Sequence, residues 1–361
     1  MIYENYINRI KNVVAENRQR NDLTKAWTSY SDIDVLSKTK ADLLKEQKLF
    51  NNKLQLKAQP LQLIMHPNIE DARIGLHPDF KHLKGTDMME YHYIVSVFID
   101  IKGSTNLHNE YDLEEIYVIT NTIQSAAIHT CLSLGGHVQR LQGDGVFAYF
   151  GGKSVDKNQA VKSAVIACSM FTYFVDNDLN KIFLQDEIEN IKTRIGIDFG
   201  DDNTVLWANF GVLDVSELTT LSLHTSLASK MQSWAKSNGI VVGQNIKDKL
   251  EADESLFDLV RNSKGEVTKR YIFESEKKGF RYTQYSFNWY KFLKTLPNIR
   301  SDESGNLYVI DAAKVEEERI NSLKSTGILI NSGNAFLNKQ GNISNQPTGV
   351  QHQPHRFHYV K

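Results

Sequence analysis

The chain has 361 residues, enough for one large domain or two modest ones built round a real hydrophobic core. Its 42 basic and 43 acidic residues leave a net charge of −1, which gives no electrostatic argument for nucleic acid or an anionic membrane as a partner. An apolar share of 41% and a charged share of 24% are ordinary for a globular protein, and no apolar run approaches the ~18 residues of a membrane span. No basic, apolar and small-residue succession of the signal-peptide kind opens the chain, so the cytoplasm is the expected compartment. Cys131 and Cys168 fall in helical patterns and are expected as reduced core residues, not a disulfide.

Residues 1–85 read as a polar, helix-rich extension, helical in period over 41–50 and then interrupted by Pro60, Pro67 and Pro78. The organised core begins near Tyr91. Residues 93–101 (YIVSVFIDI) form a β-branched and aromatic run that predicts a buried strand. After Gly103-Ser104-Thr105 a helix is predicted, with Ile116, Ile119, Ile123, Ala127 and Cys131 on one stripe. Strands at 137–142 and 146–150 follow, joined by the turn Gly143-Asp144-Gly145. A second helix then carries Ala160, Ala164, Cys168, Phe171 and Val175 on one face, before a strand at 193–199.

The order β-α-β-β-α-β predicts an α+β fold of the ferredoxin-like split βαβ type. Further strands are expected near 205–210, 219–223 and 240–243, a helix near 225–237, and a hairpin-like stretch around 267–273. The core domain is therefore expected over 86–285, with a C-terminal extension over 286–361. The three histidines of that extension's last stretch have no cysteine or acidic partners at ligand spacing and are read as composition.

Two acidic residues stand out by position. Asp100 ends an otherwise apolar strand, and Asp144 sits at the tip of a two-glycine turn. In a split βαβ sheet the first and third strands are antiparallel neighbours, which brings the two carboxylates together. Converging carboxylates repel unless a cation lies between them, and hard oxygen donors suit Mg²⁺ or Mn²⁺. The backbone carbonyl of Ile101 is a further candidate ligand. The strand-to-helix loop Ile101-Lys102-Gly103-Ser104-Thr105 is a candidate phosphate cradle, because backbone N–H groups point outward at such turns.

The segments FIDIKGST over 98–105, GDGVFAYF over 143–150 and RIGIDFG over 194–200 together resemble class III nucleotidyl cyclases. The segments 206–211 and 226–230 resemble, more finely, the bacterial Pycsar branch that makes cyclic UMP or cyclic CMP in antiphage defence. The resemblance implies a homodimer with composite sites at its interface and two divalent metals, Mn²⁺ or Mg²⁺, at each. It places base reading on Arg140, where adenylyl cyclases carry lysine, and on Thr219. Ser226 and Lys230 fall where the family places asparagine and arginine against ribose and triphosphate. Lysine keeps the charge but loses the bidentate fork.

The implied reaction closes a nucleoside triphosphate into a 3′,5′-cyclic monophosphate with loss of pyrophosphate, the product being read by a separate effector. Because a guanidinium only donates, Arg140 favours uracil with its two carbonyls, so UTP is expected first, CTP next, and ATP as the adenylyl alternative. A catalytically silent nucleotide-binding domain is a second reading, motivated by Ser226 and Lys230. A palm-type polymerase or diguanylate cyclase is a third, and the hairpin lacks the Gly-Gly-acidic-acidic turn it would need.

Overall fold

The computed structural model describes residues 72–185, 189–262, 264–267 and 270–310, with a few isolated positions elsewhere. The helix expected over 41–50 and the histidine-bearing C-terminal stretch lie outside the described residues. The chain divides into two compact units, Met1–Thr295 and Leu296–Lys361.

The first unit is built on β2 (Ile94–Ile101), α1 (Leu113–Ser133), β3 (Gly136–Gln142), β4 (Gly145–Phe150), α2 (Lys157–Tyr173) and β5 (Thr193–Gly200), preceded by the short β1 (Met89–Tyr91). That is the expected βαββαβ order, and the four core strands lie in the spatial order β5-β2-β4-β3. α1 starts where a capping box dictates: Glu115 N–H donates to Asp112 Oδ1 at 2.9 Å, and Asp112 N–H donates back to Glu115 Oε2 at 3.0 Å. Asp156 caps α2 through its side chain alone, accepting from the N–H groups of Asn158 and Gln159.

β2 has no polar-out alternation because both of its faces are covered. Val95, Val97, Ile99 and Ile101 are buried. By the period of two, Ser96, Phe98 and Asp100 point to the other face. There lie α3 (Leu223–Trp234, with β6, Val205–Val212, and β7, Val215–Ser222, before it) and a second, three-stranded sheet in the order β1-β6-β7. Phe80, Leu83, Phe147, Tyr149, Trp207 and Leu218 form a core cluster on that side, with Phe80 stacked on Trp207 at 4.1 Å. The packed core thus starts ahead of residue 86.

The large sheet continues from β5 to the parallel β8 (Gly239–Gly243) and on to β11 (Phe280–Phe287), which pairs with both β9 (Phe257–Leu259) and β10 (Tyr271–Ser275). The hairpin expected around 267–273 lies further on. Its strands are β10 and β11, and the chain reverses at Gly279, whose φ of 59° belongs to the left-handed region that glycine tolerates. β11 and the following turn of helix, Trp289–Leu293, carry the unit past the expected boundary at 285; Trp289 Nε1–H donates to Asn238 O at 2.9 Å. In the second unit β12 (Ile299–Ser301) pairs antiparallel with β13 (Leu307–Val309).

Candidate active site

β2 pairs antiparallel with β4, and the register ends at Ile99↔Val146. Continued by one and two residues, it sets Asp100 beside Gly145 and Ile101 beside Asp144. The side chain missing from Gly145 makes this possible: a Cβ there would lie 3.0 Å from Ile99 O and 3.8 Å from Asp100 Oδ1. The register therefore brings Asp100 and Asp144 to the same end of the β2–β4 pair.

Their oxygens are used unequally. Asp100 Oδ2 accepts from Arg194 Nη2 at 2.6 Å and from Gln232 Nε2 at 2.7 Å. Among the described residues, no donor reaches Asp100 Oδ1, and Asp144 Oδ2 is buried without a hydrogen-bond partner. An orphaned carboxylate oxygen in a protein interior is costly unless something cationic satisfies it. Two hard oxygens, one from each carboxylate and neither engaged, fit a divalent cation of the Mg²⁺ or Mn²⁺ kind.

Arg194 and Gln232 were not anticipated as site residues. Arg194 was legible only as part of the RIGIDFG strand; what assigns it is the pairing Asp100↔Arg194 across β2 and β5. Gln232 arrives from α3, and the way α3 lies on β5 explains its reach. A Cβ at Gly196 would stand 2.1 Å from Ala228 O and 2.4 Å from Gln232 N, so the helix backbone rests directly on the strand. Before it, the His224 ring Nδ1 is hydrogen-bonded to Asp198 Oδ2 at 2.9 Å; beyond it, Gln232 binds Asp100. The lengths agree. Eight helical residues from 224 to 232 span about 12 Å, and four strand residues from 198 to 194 span about 13 Å.

Ser226 and Lys230 take the other side of α3. They are offset by two residues, roughly 200° of helix, from the line 224-228-232. Both are exposed, and Ser226 Oγ donates to Ser222 O one turn back at 3.1 Å. The structure does not bring them to the carboxylates of their own chain.

On the edge strand β3, Arg140 pairs with Glu217 of β7, which stands two residues before Thr219. Phe98, Phe147 and Arg140 are register partners in a row across β2, β4 and β3, with Phe98 stacked on Phe147 at 4.2 Å. Arg140 is not alone there. Its Nε–H donates to Glu217 Oε1 at 2.9 Å, and its Nη2 makes a second contact to Glu217 Oε2. Tyr149 OH lies 3.3 Å from Thr219 Oγ1 and 2.8 Å from Thr220 Oγ1, and burial pushes its phenol above the usual tyrosine range. Glu217 was also missed, although it stands two residues before Thr219 and so on the same strand face.

The loop after β2 bears out only part of the cradle geometry. Gly103 is left-handed at φ 77° and leads into a short 3₁₀ turn, Ser104–Asn109. This is the backbone alternation of an anion nest. Among the described residues, no backbone carbonyl takes the N–H of Gly103, Ser104 or Thr105. Lys102 departs from the expectation: its N–H donates to Lys192 O at 2.7 Å as the pairing runs on, and its ammonium donates to Ser237 Oγ at 3.1 Å.

Residues 86–282 match the family described as the adenylate and guanylate cyclase catalytic domain. A cytidylate cyclase of Staphylococcus aureus is 42% identical over 224 residues, covering 62% of this chain and 52% of that protein. Two cytidylate cyclases of Escherichia coli are 36% and 34% identical, over 64% and 50% of this chain and 51% and 40% of theirs. The chain thus spans about half the length of these relatives.

Proposed function

The chain belongs to the adenylate and guanylate cyclase catalytic-domain family, and on that premise we propose that it cyclises a pyrimidine nucleoside triphosphate, CTP before UTP, to the 3′,5′-cyclic monophosphate. The observation that carries the reading is that the β2–β4 register brings Asp100 and Asp144 to one end of the strand pair, where, among the described residues, Asp144 Oδ2 is buried without a hydrogen-bond partner and Asp100 Oδ1 takes no donor. The naming of three relatives as cytidylate cyclases supports a pyrimidine and moves CTP ahead of the UTP that a lone Arg140 favours.

In the reaction the ribose 3′-oxygen bonds to the α-phosphorus, the bond from that phosphorus to the β-phosphate bridging oxygen breaks, and pyrophosphate leaves. The hydroxyl proton passes to solvent. Asp100 and Asp144, with the Ile101 carbonyl, would hold divalent cations, whose Lewis acidity would acidify the 3′-hydroxyl and neutralise charge on the triphosphate. Arg194 and Gln232 fix the Asp100 carboxylate so that Oδ1 faces the turn. The free N–H groups of Gly103, Ser104 and Thr105 offer donors to phosphate oxygens.

Lys230 and Ser226 reach a triphosphate only from a second copy, because α3 turns them away from their own carboxylates. That placement supports a homodimer with two equivalent composite sites. The β6–β7 hairpin supports it, since Val212, Leu213 and Val215 at its tip are 71%, 88% and 86% exposed, unusual for three neighbouring apolar side chains in a lone chain. The resemblance of segments 206–211 and 226–230 to the Pycsar branch supports a second-messenger role for the product, read by a separate cyclic-nucleotide-sensing effector in antiphage defence. Purified protein incubated with each of the four ribonucleoside triphosphates and Mn²⁺ is expected to yield cyclic CMP as the main product by mass spectrometry. Cyclic AMP or cyclic GMP as the main product would overturn the pyrimidine reading.

A further inference from the structure

The Arg140–Glu217 pair bears on how a base is chosen. A guanidinium has five donors and no acceptor, whereas the 4-amino group of cytosine requires an acceptor. Glu217 supplies one. Its carboxylate accepts from Arg140 through both oxygens and from Gln139 Nε2 at 3.0 Å. Gln139 Nε2 also donates to Leu218 O at 2.8 Å.

The backbone explains why two consecutive residues of β3 reach the same partner. The β3–β4 register slips between Val138 and Arg140, a bulge that re-aims side chains which a regular strand would send to opposite faces. Gln139 is buried and its Oε1 has no hydrogen-bond partner. Reversing the amide would set that oxygen against the carboxylate, so the nitrogen is held toward Glu217. The pair is thus clamped from behind. In front it is open: the Arg140 and Glu217 side chains are 42% and 31% exposed. Each carboxylate oxygen has two lone pairs, so Glu217 Oε2, which takes only Arg140 among the described residues, still has capacity to accept.

We propose that Glu217 is a base-reading residue: with Arg140 it forms a fixed acceptor–donor pair that takes the 4-amino group and N3 of cytosine, and it makes the site selective for CTP over UTP. The inference rests on the pyrimidine cyclase reading above. Uracil in the same placement sets O4 against the carboxylate and N3–H against the guanidinium, two mismatches where cytosine has two matches. Adenine carries the same amino and ring-nitrogen pattern, so the pair separates CTP from UTP and not, by itself, from ATP.

The test is kcat/KM for CTP and UTP in the full chain and in Glu217→Gln and Glu217→Ala. Removing the acceptor leaves Arg140 donating alone, so the CTP:UTP ratio is expected to fall roughly tenfold or more in Glu217→Ala. It should fall less in Glu217→Gln, whose amide oxygen still accepts. The ratio separates base reading from a structural role, which lowers both rates together. The near-isosteric Gln variant keeps the test open if Glu217→Ala folds poorly. An unchanged ratio in both variants, with cyclic CMP still made by the wild type, would overturn the role of Glu217 and leave the cyclase reading standing. A wild type that makes only purine products would remove the pyrimidine reading itself.

Discussion

Asp100 and Asp198 are two carboxylates on neighbouring strands, on the same sheet face, under the same helix. β2 presents Asp100 opposite Arg194, and β5 presents Asp198 opposite Ser96. α3 touches both, through Gln232 and His224. Yet Asp198 is wholly buried and closed: Tyr282 OH donates to Oδ1 at 2.7 Å, Phe199 N–H donates to the same oxygen at 2.9 Å, and His224 takes Oδ2. Burial raises its carboxyl above the usual range, against the pull of those hydrogen bonds. Gly243 completes the enclosure, since a Cβ there would lie 2.1 Å from Asp198 Oδ1. Asp100 accepts through Oδ2 alone among the described residues, and its Oδ1 is left open near Gly145. An acidic side chain does chemistry where a lone pair is left over, and it anchors the fold where none is.

The largest effect expected from that contrast is on turnover. Asp100→Asn and Asp144→Asn should each lower Mn²⁺-supported product formation by more than about a hundredfold while leaving the melting temperature within a few degrees of wild type. Wild-type rates in either variant would break the assignment of the open carboxylates. Asp198→Ala should show the converse, a loss of about 3–5 kcal/mol in chemical denaturation, because His224 and Tyr282 are left buried without their acceptor. If Asp198→Ala were as stable as wild type, the network would not be what holds the start of α3.

The smallest effect is a pH dependence of stability, from a second closed region. His77 Nε2 lies 3.3 Å from Gly151 O, and Asp79 N–H donates to His77 Nδ1 at 3.3 Å, an arrangement that only the neutral ring satisfies. Burial lowers His77 to about 4, and it lowers His137, whose ring centroid is 5.1 Å away, to about 3. Both folded values lie below the ordinary value of 6.5, so between them the unfolded chain binds more protons. Their contribution to stability is complete above pH 6.5 and is lost as the pH falls toward 4 and then 3. Melting temperatures between neutral and mildly acidic pH should fall accordingly. His77→Gln should flatten part of that slope, and a slope identical to wild type would show that His77 does not titrate with unfolding.

The chain's local chemistry was enough to read the βαββαβ order and to expect Asp100 and Asp144 at one end of the β2–β4 pair. Each of these depends on short-range rules: the period of side chains along a strand or helix, the turn geometry of Gly143-Asp144-Gly145, and the antiparallel pairing that a split βαβ unit imposes. The pairing of Arg194 and Gln232 with Asp100 was beyond those rules. So were Glu217 beside Arg140 and the closure of Asp198. Their sequence separations run from 26 residues, for His224 and Asp198, to 132, for Gln232 and Asp100. Which of several polar side chains meet at such distances depends on how a helix lies across a sheet and where a strand bulges. Those are set by packing at Gly196 and by the slipped register of β3, and only the folded backbone fixes them.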